Sequence, residues 1–549
     1  MAVGSFQFSV ARFRRALKAE PLNTLFRSSF YILPSKFYLP PMPRTIWILG
    51  DQLGPDNAVL AGARRKDDVL FMVESSGAIR KLSYHQQRLV LLLSAARHSA
   101  EEKRTEGWKV DYHSFEDGST WESALSDHVR KHKPQQILLA QPNDYDEQEA
   151  VAKLSKKFPI EILPTRQFLV PRAEFIAWAK GKKSLLMETH YRRVRQEFGF
   201  LMQPDGQPVG GRWNFDEENR KTFRDWVKAG RPRAVVAPVK PDKITREVIA
   251  LVEKHFSRNP GKAADFWLPV DRAGALRWLD NFMATRLAGF GPWEDLMVED
   301  EQLLFHSIIS PTINLGLLTP RECIAKAIEA YEKGKAPLAS VEGFVRQIAG
   351  WREFINGVYW LKMPEYAEVN GLGAERSLPQ FFYTGETDLH CLGQAIAQVR
   401  ATGFNHHIQR LMVLGNFLLL AGIKPQEALR WFLEMYVDAH DWVMAANVLG
   451  MVLHADGGFM ATKPYAAGSG YISRMSNYCH GCRYKPDVKT GPDACPFNYL
   501  YWDFYARHEA RFAKNPRVSM ALNTLKKKTP AERKAIAESA REFLRGIDG

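Results

Sequence analysis

Thr45-Ile-Trp-Ile-Leu-Gly-Asp-Gln52 is the stretch on which the fold turns. A short apolar, β-prone run passes straight into Gly50-Asp51-Gln52, the pattern of a buried strand closed by a polar turn. The same pattern returns at Val69-Leu-Phe-Met-Val73, ending at Glu74, and at Lys109-Val-Asp-Tyr112, Gln136-Ile-Leu-Leu-Ala140 and Ile160-Glu-Ile-Leu163. Between Ser83 and Lys103, apolar residues recur at helical spacing through Leu89, Leu92, Leu93 and Ala96. The segments around Leu125 and Val151 read as further helices. Alternation of this kind with short connections predicts a doubly wound, parallel-sheet α/β domain over 42–170. Such sheets bind ligands beyond the carboxyl ends of their strands, which makes Asp51, Gln52, Glu74 and the Asn143-Asp144 loop candidates to line a small-molecule pocket. Gly50-Asp-Gln lacks the Gly-x-Gly-x-x-Gly of dinucleotide binders, so no phosphate cradle is expected there.

Upstream, residues 1–41 carry six Lys or Arg against one acid, Glu20, and end in Leu39-Pro-Pro41. They read as an extension outside the fold, either leader-like or an upstream start, because Met42 directly precedes the first convincing strand. Downstream, 171–240 loses the alternation and becomes basic. Tyr191-Arg-Arg-Val-Arg195 and Pro208-Val-Gly-Gly-Arg-Trp-Asn-Phe-Asp-Glu-Glu-Asn-Arg220 read as a linker laid over the surface, in which Arg212 and Trp213 offer charge and stacking to nucleic acid. Beyond 241 helical periods take over, through 246–256, 271–289, 321–333, 341–360, 391–401, 406–421 and 426–438. The domain over 241–549 is therefore expected to be all-α. Ile408 to Leu420 is apolar almost all round, which places His406, His407 and Arg410 at the mouth of a buried helix. Thr529-Pro-Ala-Glu532 carries the N-cap, first-turn Pro and capping box that start a last helix.

The chain has 549 residues, 45% hydrophobic and 25% charged, with a formal net charge of +14, so a polyanionic partner, nucleic acid above all, is expected. No run approaches the ~20 apolar residues of a membrane span. Three of its five cysteines lie in one stretch, as Cys479-x-x-Cys482, twelve residues, then Cys495-Pro496. Two thiolates on one tight turn and a third nearby supply three corners of a metal centre, and soft ligands favour zinc or an iron–sulfur cluster. Cys391, Cys323 or His480 could complete it.

Several long motifs, in this order, resemble the photolyase/cryptochrome flavoproteins, and specifically their iron–sulfur bacterial branch of photolyase-related proteins. They are Ile48-Leu-Gly-Asp-Gln-Leu53, Gly210-Gly-Arg-Trp-Asn-Phe-Asp216, Glu342-Gly-Phe-Val-Arg-Gln-Ile-Ala-Gly-Trp-Arg-Glu353, His406-His-Ile-Gln-Arg-Leu-Met412, Gly457-Gly-Phe-Met-Ala-Thr-Lys-Pro-Tyr465 and Cys479 to Phe497. The resemblance implies a 4Fe-4S cluster on Cys391, Cys479, Cys482 and Cys495, within a C-terminal segment 461–549, with Cys323 left as a core thiol. It implies FAD in the helical domain. His306, Ser307 and Ser310 then belong to a flavin-phosphate loop, Arg346 and Arg352 project from the 341–360 helix, Arg410 and Asp438 close over the ring, and Asn447 faces its reactive nitrogen. In the N-terminal domain it implies a 6,7-dimethyl-8-ribityllumazine antenna near Asp51, Gln52 and Glu74.

The expected substrate is a (6-4) pyrimidine dimer in UV-damaged DNA, with His407 as proton donor, His406 in support and Tyr465 packed at the lesion pocket. Arg220 and Asp216 match linker positions that contact DNA and magnesium. Tyr383 and Trp431 stand where relatives pass electrons. Tyr383 replaces a common Trp, Phe432 a Tyr, and Met444 an acid that some relatives carry. The resemblance also implies a monomer in the bacterial cytoplasm. A blue-light photoreceptor with the same photochemistry is the alternative, and an iron–sulfur nucleic-acid binder without flavin is a third reading.

Overall fold

The computed structural model describes residues 43–547 apart from residue 235; the 1–41 extension lies outside them. Five parallel strands, β1 (Thr45–Trp47), β2 (Val69–Val73), β3 (Lys109–His113), β4 (Ile137–Ala140) and β5 (Ile160–Leu163), form one sheet in the order β3-β2-β1-β4-β5. β1 pairs with β2 on one side and β4 on the other, with Thr45 opposite both Val69 and Ile137. The helices α1 (Gln86–Thr105), α2 (Trp121–His132) and α3 (Tyr145–Leu154) connect β2 to β3, β3 to β4 and β4 to β5. Side chains alternate between the two faces of a strand. Ile46, Leu70 and Leu138 join the main core, which is continuous with the helical body. Trp47, Phe71, Ile137 and Leu139 face the other way, against Leu125, Val151 and Leu154 of α2 and α3. The expected doubly wound sheet is present, although β1 ends at Trp47, two residues early, as the chain turns out toward Gly50.

The linker differs from expectation. Tyr191 to Arg195 is not a surface strap but part of the helix Met187–Phe198, and both Tyr191 and Arg195 are fully buried. The reason lies in the arginine's donors. Nε and Nη2 of Arg195 donate to the carbonyls of Phe200 and Leu201 (3.1 and 2.7 Å), and Nη1 donates to that of Trp213 (2.8 Å), so backbone acceptors replace water around the cation. Tyr191 donates from its hydroxyl to Glu342 Oε1 at 2.9 Å. Pro208–Arg220 is loop, as expected, apart from one short turn at Val209–Gly211.

From Lys243 onward the body is helical, without strands among the described residues. Three long helices are interrupted by a π turn apiece: Arg346–Arg352 within 338–362, Gln409–Gly415 ahead of Asn416–Ala421, and Ala446–Val452 after Asp441–Ala445. π turns gather at functional sites because each re-aims the side chains that follow. The last helix, Pro530–Ile547, starts at the capping box read from sequence: Glu532 N–H donates to Thr529 Oγ1 (3.2 Å) and Thr529 N–H to Glu532 Oε2 (2.7 Å). The α/β part joins the body at Leu53, whose N–H donates to Leu315 O (2.9 Å), and at Gly54, where a Cβ would stand 2.1 Å from Gly316 O. Among the described residues, no helix is long and apolar enough to cross a membrane.

Candidate active site

Four groupings of side chains hold nearly all the residues singled out in the sequence. The first is a set of three imidazoles. His306 stacks on His406, with ring centroids 4.5 Å apart and planes 9° from parallel, and His407 stands edge-on to both, at 5.6 and 6.1 Å. His306 and His406 are buried, whereas the His407 side chain is 44% exposed. Burial pushes His306 down to about 3 and, with the Arg410 guanidinium nearby, holds His406 well below the usual histidine value. Both rings are therefore neutral at physiological pH. His407 Nε2 lies 3.4 Å from Asp295 Oδ1, and Tyr471 donates to Asp295 Oδ2 at 3.2 Å. Burial alone would raise the Asp295 carboxyl; the hydrogen bond from His407 and the positive charge around it outweigh that and hold it low.

A charged rim borders this trio. Arg220, with φ of +62°, places its guanidinium 3.3 Å from Asp216, 3.5 Å from Glu294 and 3.7 Å from Asp295. Arg346 is buried among Asp216 and Glu342, so four carboxylates in all surround the two cations. Arg346, expected from the sequence at the cofactor, pairs with the linker carboxylate Asp216. Tyr465 is half-buried within the electrostatic reach of Arg220 and Asp216. Arg212 is more peripheral, paired with Glu218 and lying over Phe215 at 4.5 Å.

The second grouping centres on Asp438. Arg410 forks onto it (3.0 and 3.1 Å), Ser310 donates to its Oδ2 at 2.7 Å, and Asn314 donates to its backbone carbonyl at 3.0 Å. Ser307 is tied differently: its carbonyl accepts from Trp278 Nε1 at 2.9 Å. Arg410 lies 4.0 Å over the ring of Tyr436, a residue the sequence reading missed. Tyr436 in turn meets the fully buried Trp431 edge-on at 6.0 Å and stacks on Phe432 at 5.4 Å. Trp431 Nε1 donates to Phe382 O, and the neighbouring Tyr383 is 38% exposed, its hydroxyl reaching Glu434 at 3.4 Å. Arg352 pairs with Glu353 (2.9 Å) and lies over Phe168 at 4.2 Å. Asn447 occupies the π turn Ala446–Val452, where its Nδ2 donates to Val443 O.

The third grouping is the sulfur site. Cys391, Cys479, Cys482 and Cys495, from three separate segments, line one small cavity with Tyr478, Tyr484 and Phe497. All are free thiols. Cys323 is apart from them and fully buried in the core, as the sequence suggested.

The fourth lies at the β1/β4 switch, where the strand order reverses. Asn143 Nδ2 donates to Asp51 Oδ2 (2.7 Å), Gln52 Nε2 donates to Gln141 O (2.8 Å), and Asp144 accepts from Trp442 N–H (2.8 Å). Asp51 Oδ1, Gln52 Oε1, Asn143 Oδ1 and Glu147 Oε2 are buried without a hydrogen-bond partner. Burial raises the Asp51 carboxyl to about 6 and, with the charge of Asp441, that of Asp144 to about 7. Glu74 is not part of this group. It follows β2, one strand away from the switch, and is saturated: Arg97 donates to both oxygens (2.7 and 2.8 Å), with Tyr112 O–H (2.6 Å) and Phe115 N–H (2.7 Å) beside it. It braces α1 and β3, and no lone pair faces the pocket.

Asp295, Tyr471 and Glu294 escaped sequence reading because nothing in their spacing links them to His407, more than sixty residues from Tyr471. His306 was singled out for the phosphate loop, not as a third imidazole.

A parallel sheet of this order on a mostly helical body is the fold of the photolyases. A crystal structure of a bacterial class III photolyase from Agrobacterium tumefaciens shares that fold, with a TM-score of 0.52 and 17% identity over 92% of this chain and 98% of that one. The model of the deoxyribodipyrimidine photo-lyase-related protein family matches residues 46–268. A (6-4) photolyase of Agrobacterium fabrum is 42% identical over 513 residues, 92% of this chain and the whole of the relative. An uncharacterised mimivirus protein, R853, is 34% identical over 114 residues, 21% of this chain and 87% of its own. The chain belongs to the photolyase-related family of the photolyases.

Proposed function

We propose that the protein repairs (6-4) pyrimidine photoproducts in UV-damaged DNA under blue light, with His407 as the proton donor. The observation that carries this is the imidazole trio: one exposed histidine hydrogen-bonded to Asp295, backed by two buried neutral ones. Reversing a (6-4) bond moves a hydroxyl between bases and needs a proton delivered to it, and an imidazole at hydrogen-bond reach suits that task. Asp295 orients the His407 ring, and Tyr471 fixes Asp295. His306 and His406, neutral, buried and stacked on each other, close the inner side of the site. Tyr465 packs at the mouth, and Arg220, Arg212 and the net charge of +14 attract the phosphate backbone. Asp216, paired with Arg220 and Arg346, would hold a magnesium ion beside that backbone only in exchange for those cations. Flipping a damaged pair out of the duplex costs only a few kcal/mol, because the lesion is already unstacked.

The Asp438 group fits FAD: Arg410 and Asp438 form a planar, charged edge, Ser310 and Asn314 hold it, and Asn447 is presented by a π turn. FAD, when bound and reduced, supplies the photoexcited electron for repair. Trp431, with Tyr383 at the surface end and Tyr436 at the inner end, forms the aromatic path along which electrons reach that region. The unsatisfied polar atoms of Asp51, Gln52, Asn143 and Glu147 fit the heteroatom-rich ring of a lumazine, which would harvest light there. The four thiols fit a 4Fe-4S cluster better than one zinc ion. Tetrahedral zinc–sulfur bonds of ~2.3 Å hold sulfurs roughly 3.8 Å apart. Among the described residues, the only sets of three candidate ligands within 4.8 Å of one another are His306/His406/His407 and Asp111/His128/His132.

A blue-light repair assay on anaerobically reduced protein tests the proposal, with one (6-4) lesion per oligonucleotide and a cyclobutane-dimer control. Absence of repair despite reduced flavin and normal DNA binding would favour the photoreceptor, the reading to which Phe432 and Met444 lean.

A further inference from the structure

A fifth cluster lies far from all of these, on the outer edge of the sheet. β3 is an edge strand, and its residue Asp111 projects to the face covered by α2. Three ring nitrogens approach a single carboxylate oxygen, Asp111 Oδ2: Nδ1 of His128 at 2.6 Å, Nε2 of His132 at 3.3 Å and Nε2 of His113 at 3.5 Å. His128 and His132 are four residues apart on α2, so they share one face one turn apart. The ligand atoms of Asp111, His128 and His132 all lie within 4.8 Å of one another.

Two features go beyond an ordinary hydrogen-bond network. First, His132 Nε2 is buried without a hydrogen-bond partner although its ring sits against the carboxylate. An uncompensated buried nitrogen costs stability unless something accepts its lone pair. Second, His128 Nε2 contacts the Thr45 hydroxyl at 2.7 Å, an oxygen that can accept the ring proton on Nε2 once a metal displaces the one shared by Nδ1 and Asp111. Metal-bound histidines are usually held by such an outer partner on the other ring nitrogen. Lys131 Nζ donates to Asp111 Oδ1 at 2.8 Å, so the second oxygen alone is left to the site. Zinc bonds of ~2.0–2.2 Å to nitrogen and oxygen separate ligand atoms by roughly 3.3–3.5 Å in a tetrahedron. The His132 and His113 distances already match.

We propose that Asp111, His128 and His132, with His113 beside them, form a binding site for a divalent first-row metal ion such as zinc. The ion replaces the proton between His128 Nδ1 and Asp111, and bridges the edge strand β3 to α2. It is a structural site, remote from the β1/β4 switch and from the imidazole trio.

The test uses holoprotein with cluster and flavin in place, dialysed to equilibrium against micromolar zinc chloride, with zinc counted per chain and its coordination read by X-ray absorption. Wild type, His132→Gln and His407→Ala are compared. The expected result is one zinc with nitrogen and oxygen ligands in wild type and His407→Ala, lost or weakened at least tenfold in His132→Gln. The melting temperature should rise with zinc in wild type and His407→Ala but not in His132→Gln, and repair by His132→Gln should be unchanged. Equal zinc in wild type and His132→Gln, sulfur ligation, or loss in His407→Ala alone would overturn the proposal.

Discussion

At the scale of single residues, the site separates groups that act from groups that support. Glu74 illustrates the second kind. With both oxygens committed to Arg97, Tyr112 and a backbone N–H, it is a buried, fully paired carboxylate. Removing one partner from such a pair costs about 3–5 kcal/mol, because the other charge is left buried. Glu74→Gln should therefore lower the melting temperature by several degrees yet leave the absorption of a bound lumazine in place. Loss of lumazine from protein that melts normally would return Glu74 to the antenna pocket. Asp295 belongs to the first kind. Asp295→Asn keeps the shape but removes the charge that orients His407. Repair should fall about 10–100-fold, within the range of general acid–base effects, and its pH profile should shift, whereas a purely structural role would leave the profile unmoved.

At the scale of elements, the three π turns do most to bring the site together. Gln409–Gly415 and Ala446–Val452 pack directly on each other at Gly415, where a Cβ would stand 2.5 Å from Val452 Cγ1 and 2.7 Å from Arg410 O. Gly415→Ala should push the two turns apart and displace Arg410 from Asp438. The expected outcome is a lower flavin content on purification as well as reduced stability; full flavin occupancy at wild-type stability would show that the turns tolerate separation. These turns were not legible in the sequence, since an apolar run such as Ile408–Leu420 has the same composition whether its turns contain 3.6 or more residues. The strands were legible to within two residues, because short apolar runs ending in Gly, Asp or Asn leave few alternatives. The buried helix at Tyr191–Arg195 was hidden for the opposite reason. Its arginines suggest solvent, where Arg192 does lie, and only the carbonyls around Arg195 explain the burial of that one. Trp431→Phe tests the aromatic path at this scale: photoreduction of the bound flavin should slow at least tenfold, and an unchanged rate would move the path elsewhere.

At the scale of the molecule, buried histidines set the acid limit of stability. Burial lowers His85 to about 4 and His190, His306 and His440 to about 3, all below the ordinary value of 6.5. The unfolded chain binds these protons first as pH falls, so stability is full above about 6.5 and declines below it. Each such group takes away up to about 2 kcal/mol by pH 5. The melting temperature should thus drop by several degrees between pH 7 and pH 5; a flat profile would mean these rings are not buried in solution. The sequence made the family legible through its motifs, and the cysteine set through that resemblance. It did not reveal the convergence of His306, Asp295 and Tyr471 on the His406-His407 pair, because that is a property of the packed helices.

The central claim, light-driven (6-4) repair through His407, is tested most directly by measuring repair of a defined (6-4) oligonucleotide by wild type and His407→Ala under blue light. Both proteins must carry reduced flavin and show equal DNA affinity. The account predicts rapid repair by wild type, none of the cyclobutane control, and at least a hundredfold loss in His407→Ala. Wild-type repair that survives the substitution would contradict the role given to His407, and no repair by either protein would contradict the enzyme itself.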